Sequence, residues 1–202
     1  MIEVLLAVSL FHKVLAAEEQ QNAQRIRYEC RELQENWDDG QKEASLRSKL
    51  YEVVLLEGVR YRKLVERNGH PIDAEERRLV DEDMLRTSVL RQAVTERPAG
   101  ERLATLERTH DLSMAAPNEI VATPKTTGRS YRIFFDPVSF VILSYVREDD
   151  SMKLTVEYAQ DLKFARDSPQ DSPHFMRRLE VRFTAGLPRI QQSSFTEYRL
   201  AQ

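Results

Sequence analysis

GRSYRIFFDPVSFVILSYVREDDSMKLTVEYAQDLKF, residues 128–164, decides the fold, because it holds three consecutive period-two segments separated by two turns. Successive strand side chains point to opposite faces, so Tyr131, Ile133 and Phe135 share one face of the first segment. Asp136-Pro137-Val138-Ser139 then interrupts it. Proline sets φ where a type I turn needs it, and aspartate can accept from the backbone ahead. The second segment puts Val141, Leu143 and Tyr145 on one face and ends in the charged run at 147–151. In the third, Met152, Leu154, Val156 and Tyr158 alternate with Lys153, Thr155 and Glu157. Enrichment in aromatic and β-branched residues favours strands over a helix, so the stretch predicts an antiparallel meander.

Toward the N-terminus, residues 25–37 alternate, with Ile26, Tyr28 and Cys30 opposite Arg25, Arg27, Glu29 and Arg31, and Asp38-Asp39-Gly40 is expected to make a hairpin turn. Residues 44–56 change apolar phase between Leu50 and Tyr51 without a turn, which predicts a bulge or sharp bend. A further strand at 59–65 ends at Asn68-Gly69. Asp73 with Glu76 three residues on is a capping box, opening a helix over 74–95 with Leu79, Val80, Met84 and Leu85 along its apolar face. A second short helix over 101–110 turns Leu103 and Leu106 inward, and residues 120–122 make a short strand. After the meander, 165–173 reads as a loop, followed by strands over 174–184 and 190–200. The expected class is α+β: a curved antiparallel sheet forming an incomplete β-barrel, covered by one or two inserted helices.

A chain of 202 residues is expected to form one domain with a sizeable core. Its 30 Lys+Arg against 33 Asp+Glu leave no strong basic field, which argues against a nucleic-acid partner. Cys30 is the only cysteine, so no intrachain disulfide can form. Val4 to Phe11 is an apolar run, interrupted by His12-Lys13 and followed by Val14-Leu15-Ala16-Ala17, like the core and cleavage site of a secretory signal, although Met1-Ile2-Glu3 lacks the usual positive start. The domain reading is a signal peptide or N-terminal apolar segment over 1–17, with a buried first helix as its alternative, and a single half-barrel domain over 22–202. A signal places the protein in the periplasm or outside the cell. The apolar run is too short for a transmembrane span.

Chemistry is sparse. His12, His70, His110 and His174 lie far apart with no metal-ligand spacing, and no nucleophile elbow, P-loop or dinucleotide fingerprint is present. His110-Asp111 places a base beside a carboxylate, but neighbours on a strand face opposite ways. Arg129, Arg132, Arg177, Arg178 and Arg182 could form a rim for anionic head groups. More telling is the apolar surplus on one face, which a single long helix is left to cover. Incomplete cover would leave a cavity lined by Tyr28, Leu46, Leu50, Tyr61, Leu79, Phe135, Leu143, Val156 and Phe183. The alternative is that the helix and the segment at 97–117 fill it.

Two stretches carry a resemblance. Glu119-Ile120-Val121-Ala122-Thr123-Pro124-Lys125, followed by Tyr131 to Pro137 and Val141-Ile142-Leu143, is similar to the strand, Asp-containing turn and return strand of the bacterial lipoprotein-carrier superfamily, LolA and LolB among them. Val65 to Ile72 resembles the Asn-Gly-x-Pro turn before the helix in secreted members. The resemblance runs in order over roughly 25–200. It implies an open antiparallel barrel closed by helices, an acyl chain held between them, no cofactor and no catalysed reaction; no individual binding residue is carried over. The expected function is therefore a non-enzymatic envelope protein that binds a lipid or lipoprotein acyl chain. The alternatives are a protein-interaction module with a filled core, docking an envelope protein, and an uncharacterised hydrolase.

Overall fold

The computed structural model describes residues 2–24, 27–56, 59–75, 78, 103, 105–161, 164, 173–186 and 188–200. The chain divides into two compact units, one of Met1–Arg25 with Pro98–Pro188, the other of Ile26–Arg97 with Arg189–Gln202. Every strand pair described below is antiparallel, and neither unit's run of strands closes on itself. An open antiparallel sheet with helices is thus what the alternating pattern encodes.

In the first unit, helix α1 (Ile2–Gln24) precedes a run of six strands. Read from one edge, these are β5 (His110–Ala116), β6 (Glu119–Pro124), β7 (Ser130–Phe135), β8 (Ile142–Glu148), β9 (Met152–Gln160) and β10 (His174–Phe183). On α1, Ala7, Phe11, Val14, Glu18 and Gln21 recur at alternating spacings of four and three, which places them on one face. That face is buried. Ala7, Phe11 and Val14 join Leu112, Ile120, Ala122, Ile133, Phe135 and Ile142 in one core. The apolar segment at the N-terminus is therefore a packing element of this unit, and Gln21 Oε1 accepts the His174 N–H at 2.6 Å to tie its far end to β10.

The meander forms as expected. Asp136 Oδ1 accepts from the N–H groups of Val138 (3.0 Å) and Ser139 (2.7 Å) and from the Ser139 hydroxyl (2.9 Å). These bonds, the Ser139 N–H foremost, hold its carboxyl below the usual range. Asp149 repeats the device, accepting from the Ser151 hydroxyl at 2.7 Å, the Ser151 N–H at 2.9 Å and the Met152 N–H at 3.0 Å. Its pKa falls from 3.8 to about 2, with the Ser151 hydroxyl the largest cause. Because the folded value is the lower one, the stabilisation from Asp149 is present above 3.8 and is lost as pH falls through about 2. A Ser151→Ala variant should move the Asp149 titration back toward 3.8, as read by carboxyl NMR; an unmoved midpoint would refute the turn's role.

Two expectations change here. The short helix expected over 101–110 stops before His110, and residues 110–116, where no strand is expected, form β5, which pairs with β6 from His110↔Pro124 to Ala116↔Glu119. Of that helix, Leu103 and Leu106–Thr109 (α3) are helical among the described residues, and Leu103 and Leu106 are buried as expected. Methionine, alanine, serine and aspartate are weak strand formers, so pairing along β6 rather than propensity fixes this strand. Leu143 was placed on the inward face with Tyr145, but the register jumps from Phe134↔Ser144 to Phe135↔Ile142. Leu143 is the extra residue of a bulge, which turns Ile142 inward and leaves Leu143 37% exposed.

In the second unit β4 (His70–Pro71), β3 (Val59–Arg67), β2 (Arg47–Leu56), β1 (Arg27–Asp38) and β11 (Arg189–Leu200) lie in that order. Asn68 and Gly69 have φ of 51° and 78°, the two positive values a tight hairpin turn demands, and they join β3 to β4. The phase change after Leu50 coincides with a register shift against β3, where Leu50↔Glu66 gives way to Tyr51↔Leu64. The extra residue is Val65, on the partner strand. Asp38-Asp39-Gly40 does not make the expected tight hairpin: a helical turn, α2 (Lys42–Ser45), intervenes before β2. Ser45 Oγ both accepts the Asp38 N–H at 2.8 Å and donates to the Gln41 carbonyl at 2.7 Å, closing the longer connection. The helix expected over 74–95 lies, beyond residues 74, 75 and 78, outside the described residues.

Candidate functional site

Residues directly opposite in an antiparallel pair share a face, so the registers define the inner face of the first unit. It carries Leu112, Ile120, Ala122, Ile133, Phe135 and Ile142 beneath α1. It continues through Tyr145↔Val156 to Leu154↔Val181 and Val156↔Leu179 on β9 and β10. There a second cluster forms from Leu154, Val156 and Val181, with Met152, Met176, Leu179 and Phe183 only partly buried against it. Among the described residues, none of α1 belongs to this cluster. The inner face thus has one part sealed by a helix and a second part, rich in methionine, with apolar surface still accessible.

The expected lining residues are distributed unevenly over these features. Val156 and Phe183 fall together in the second cluster, while Phe135 is sealed under α1 against Phe140, ring centroids 6.2 Å apart. Tyr28 is buried in the second unit, tilted against Tyr198 at 5.4 Å. Leu50 is half-buried, and Leu46, between α2 and β2, is 42% exposed. Tyr61 lies in β3 opposite Val54, and nothing is described of its side chain; Leu79 lies outside the described residues.

The basic rim is not free. Arg129 pairs with Asp149 (3.1 Å), Arg132 with Glu119 (2.6 Å), Arg177 with Asp161 (3.1 Å), and Arg178 and Arg182 flank Glu180 (2.7 and 3.0 Å). Each guanidinium is committed to a carboxylate of its own unit, on a strand or in an adjoining turn. In the second unit, a cleft of about 260 Å³ opens at the bulge between Glu29 and Arg31, but its charges also pair with each other, Arg31 with Glu197 at 3.3 Å and Arg199 with Glu29. On the opposite face of that sheet, Glu32 is 1% exposed and bonded by Arg62, whose guanidinium stacks 4.6 Å from the Tyr51 ring centroid.

His110 Nε2 lies 2.7 Å from the Arg129 carbonyl and Nδ1 lies 2.8 Å from Thr109 Oγ1, so its ring is engaged by a backbone oxygen and a hydroxyl. Cys30 is buried in β1. No group of three His, Cys, Asp or Glu able to hold a metal ion exists among the described residues, and no helix among them is long and apolar enough to cross a membrane.

No family model and no curated protein matches the chain. Solved structures do. A LolA superfamily protein from Nitrosomonas europaea aligns over 97% of this chain and 94% of its own, at 8% identity and a TM-score of 0.46. An outer membrane lipoprotein-sorting protein domain from Vibrio parahaemolyticus aligns over 95% and 94%, at 11% identity and a TM-score of 0.47. A DUF1329 family protein from Desulfovibrio piger aligns over 93% and 91%, at 9% identity and a TM-score of 0.40.

Proposed function

We propose that the protein is a non-enzymatic envelope protein, periplasmic or secreted, that holds a lipid or lipoprotein acyl chain on the inner face of its first unit. The observation that carries this reading is the accessible apolar stretch formed by Met152, Met176, Leu179 and Phe183 around the buried Leu154, Val156 and Val181. Methionine adapts to irregular apolar guests, and each methylene buried contributes about 0.8 kcal/mol. Of the lining residues expected from sequence, Phe183 borders this stretch and is assigned to the ligand, while Val156 lies fully buried beneath it. Binding of this kind needs no cofactor, no metal and no titrating group.

The test is native mass spectrometry and thermal unfolding with single-chain phospholipids, on the wild type and on Leu179→Glu. The wild type is expected to take up one lipid saturably and to gain thermal stability as lipid concentration rises. The charged variant should fold but bind several-fold more weakly. Absence of any lipid adduct on the wild type would end the proposal.

A further inference from the structure

Arg147 sits on the wrong face for a surface cation. In β8 it lies directly opposite Tyr131 of β7 and Leu154 of β9, so it shares the inner face with the second apolar cluster. It is half-buried, and its Nε is enclosed with no hydrogen-bond partner. Its one polar contact is Nη2 to Met152 Sδ at 3.9 Å, and a thioether is a weak acceptor. The carboxylates nearest in sequence are turned elsewhere: Glu148 opposes Ser130 and Lys153 in register, and Asp149 takes Arg129 and its own turn. Arg178 of the rim also encloses its Nε, but its guanidinium is paired with Glu180 through Nη2, whereas Arg147 has no carboxylate in contact among the described residues.

An enclosed guanidinium N–H without an acceptor is costly to leave unbonded, and beside accessible apolar surface it offers a donor to a ligand held there. Resting on the lipid-binding reading, we infer that the ligand is an anionic amphiphile: its carboxylate or phosphate meets Arg147 and its tail runs over Leu154 toward Leu179 and Met176. A guanidinium forks onto either oxyanion with two parallel bonds, so the geometry selects negative charge at the head and leaves the acid group open. The occupant committed to is an amphiphile with one anionic head.

The experiment compares dodecanoate, dodecyl phosphate and dodecanol by titration calorimetry below their micellar concentrations, on the wild type, Arg147→Met and Arg147→Lys. The wild type is expected to bind one or both anions about tenfold tighter than dodecanol, the scale of one or two charge-assisted bonds. Arg147→Met should keep dodecanol binding, which also reports a folded protein, and lose the preference for anions. Arg147→Lys should keep part of it. The relative affinities of dodecanoate and dodecyl phosphate separate a fatty-acid head from a phospholipid head. An undiminished anion preference in Arg147→Met, or equal wild-type affinity for all three, overturns the inference while leaving lipid binding intact. Binding of none of the three overturns the lipid-binding reading as well.

Discussion

A Phe11→Ala substitution is expected to lower the unfolding free energy by about 3–5 kcal/mol, the cost of removing a buried aromatic from a packed site. Phe11 has no exposed surface, and it sits with Ala7 and Val14 against the strands that carry Ile120, Ile133 and Phe135. Urea denaturation would read the loss as a shifted midpoint at unchanged slope. The same substitution at Leu6, which is on α1 but exposed, should change stability by less than about 0.5 kcal/mol. Equal effects at the two positions would mean that α1 does not seal the sheet as described.

The second large effect is expected at Arg62. Glu32 is 1% exposed and Arg62 28%, so Arg62→Ala strands a carboxylate among Tyr51, Val53 and Phe195 on that face of the second unit. Breaking a buried pair from one side costs about 3 kcal/mol, because the remaining charge is left without compensation. The double variant Glu32→Gln with Arg62→Met should recover most of the loss, since both charges go together. Failure of the double variant to recover stability would show that the pair is attractive beyond its own desolvation, against this account.

Much of the fold was legible because local chemistry and tertiary structure agree. The two Asx-type turns at Asp136 and Asp149 and the Asn68-Gly69 hairpin are dictated by their own residues, and the meander follows from them. The bend after Leu50 showed as a phase change, although the residue that creates it is Val65 on the neighbouring strand. Where the reading failed, a partner element decided. Strand β5 exists because β6 offers an edge, and Leu143 faces out because a bulge against β7 takes it out of register. A one-residue slip reverses every side chain beyond it, and no pattern within β8 announces that slip. Arg147 was invisible for a related reason: next to Glu148 and Asp149 it reads as the start of a solvated turn, whereas β8 runs on to Glu148 and alternation carries the guanidinium inward. The candidate site was legible as an apolar surplus on one face of the meander, and only the registers tell which of its residues remain accessible.

The most direct test of the central claim is the methyl NMR spectrum of methionine-labelled protein during titration with a single-chain lipid below its micellar concentration. Met152 and Met176 border the accessible cluster, while Met114 packs against the core beneath α1 and serves as the internal reference. Saturable shifts of Met152 and Met176 with Met114 unmoved are the predicted result. Unchanged Met152 and Met176 signals at saturating lipid, or equal movement of all three, would contradict it.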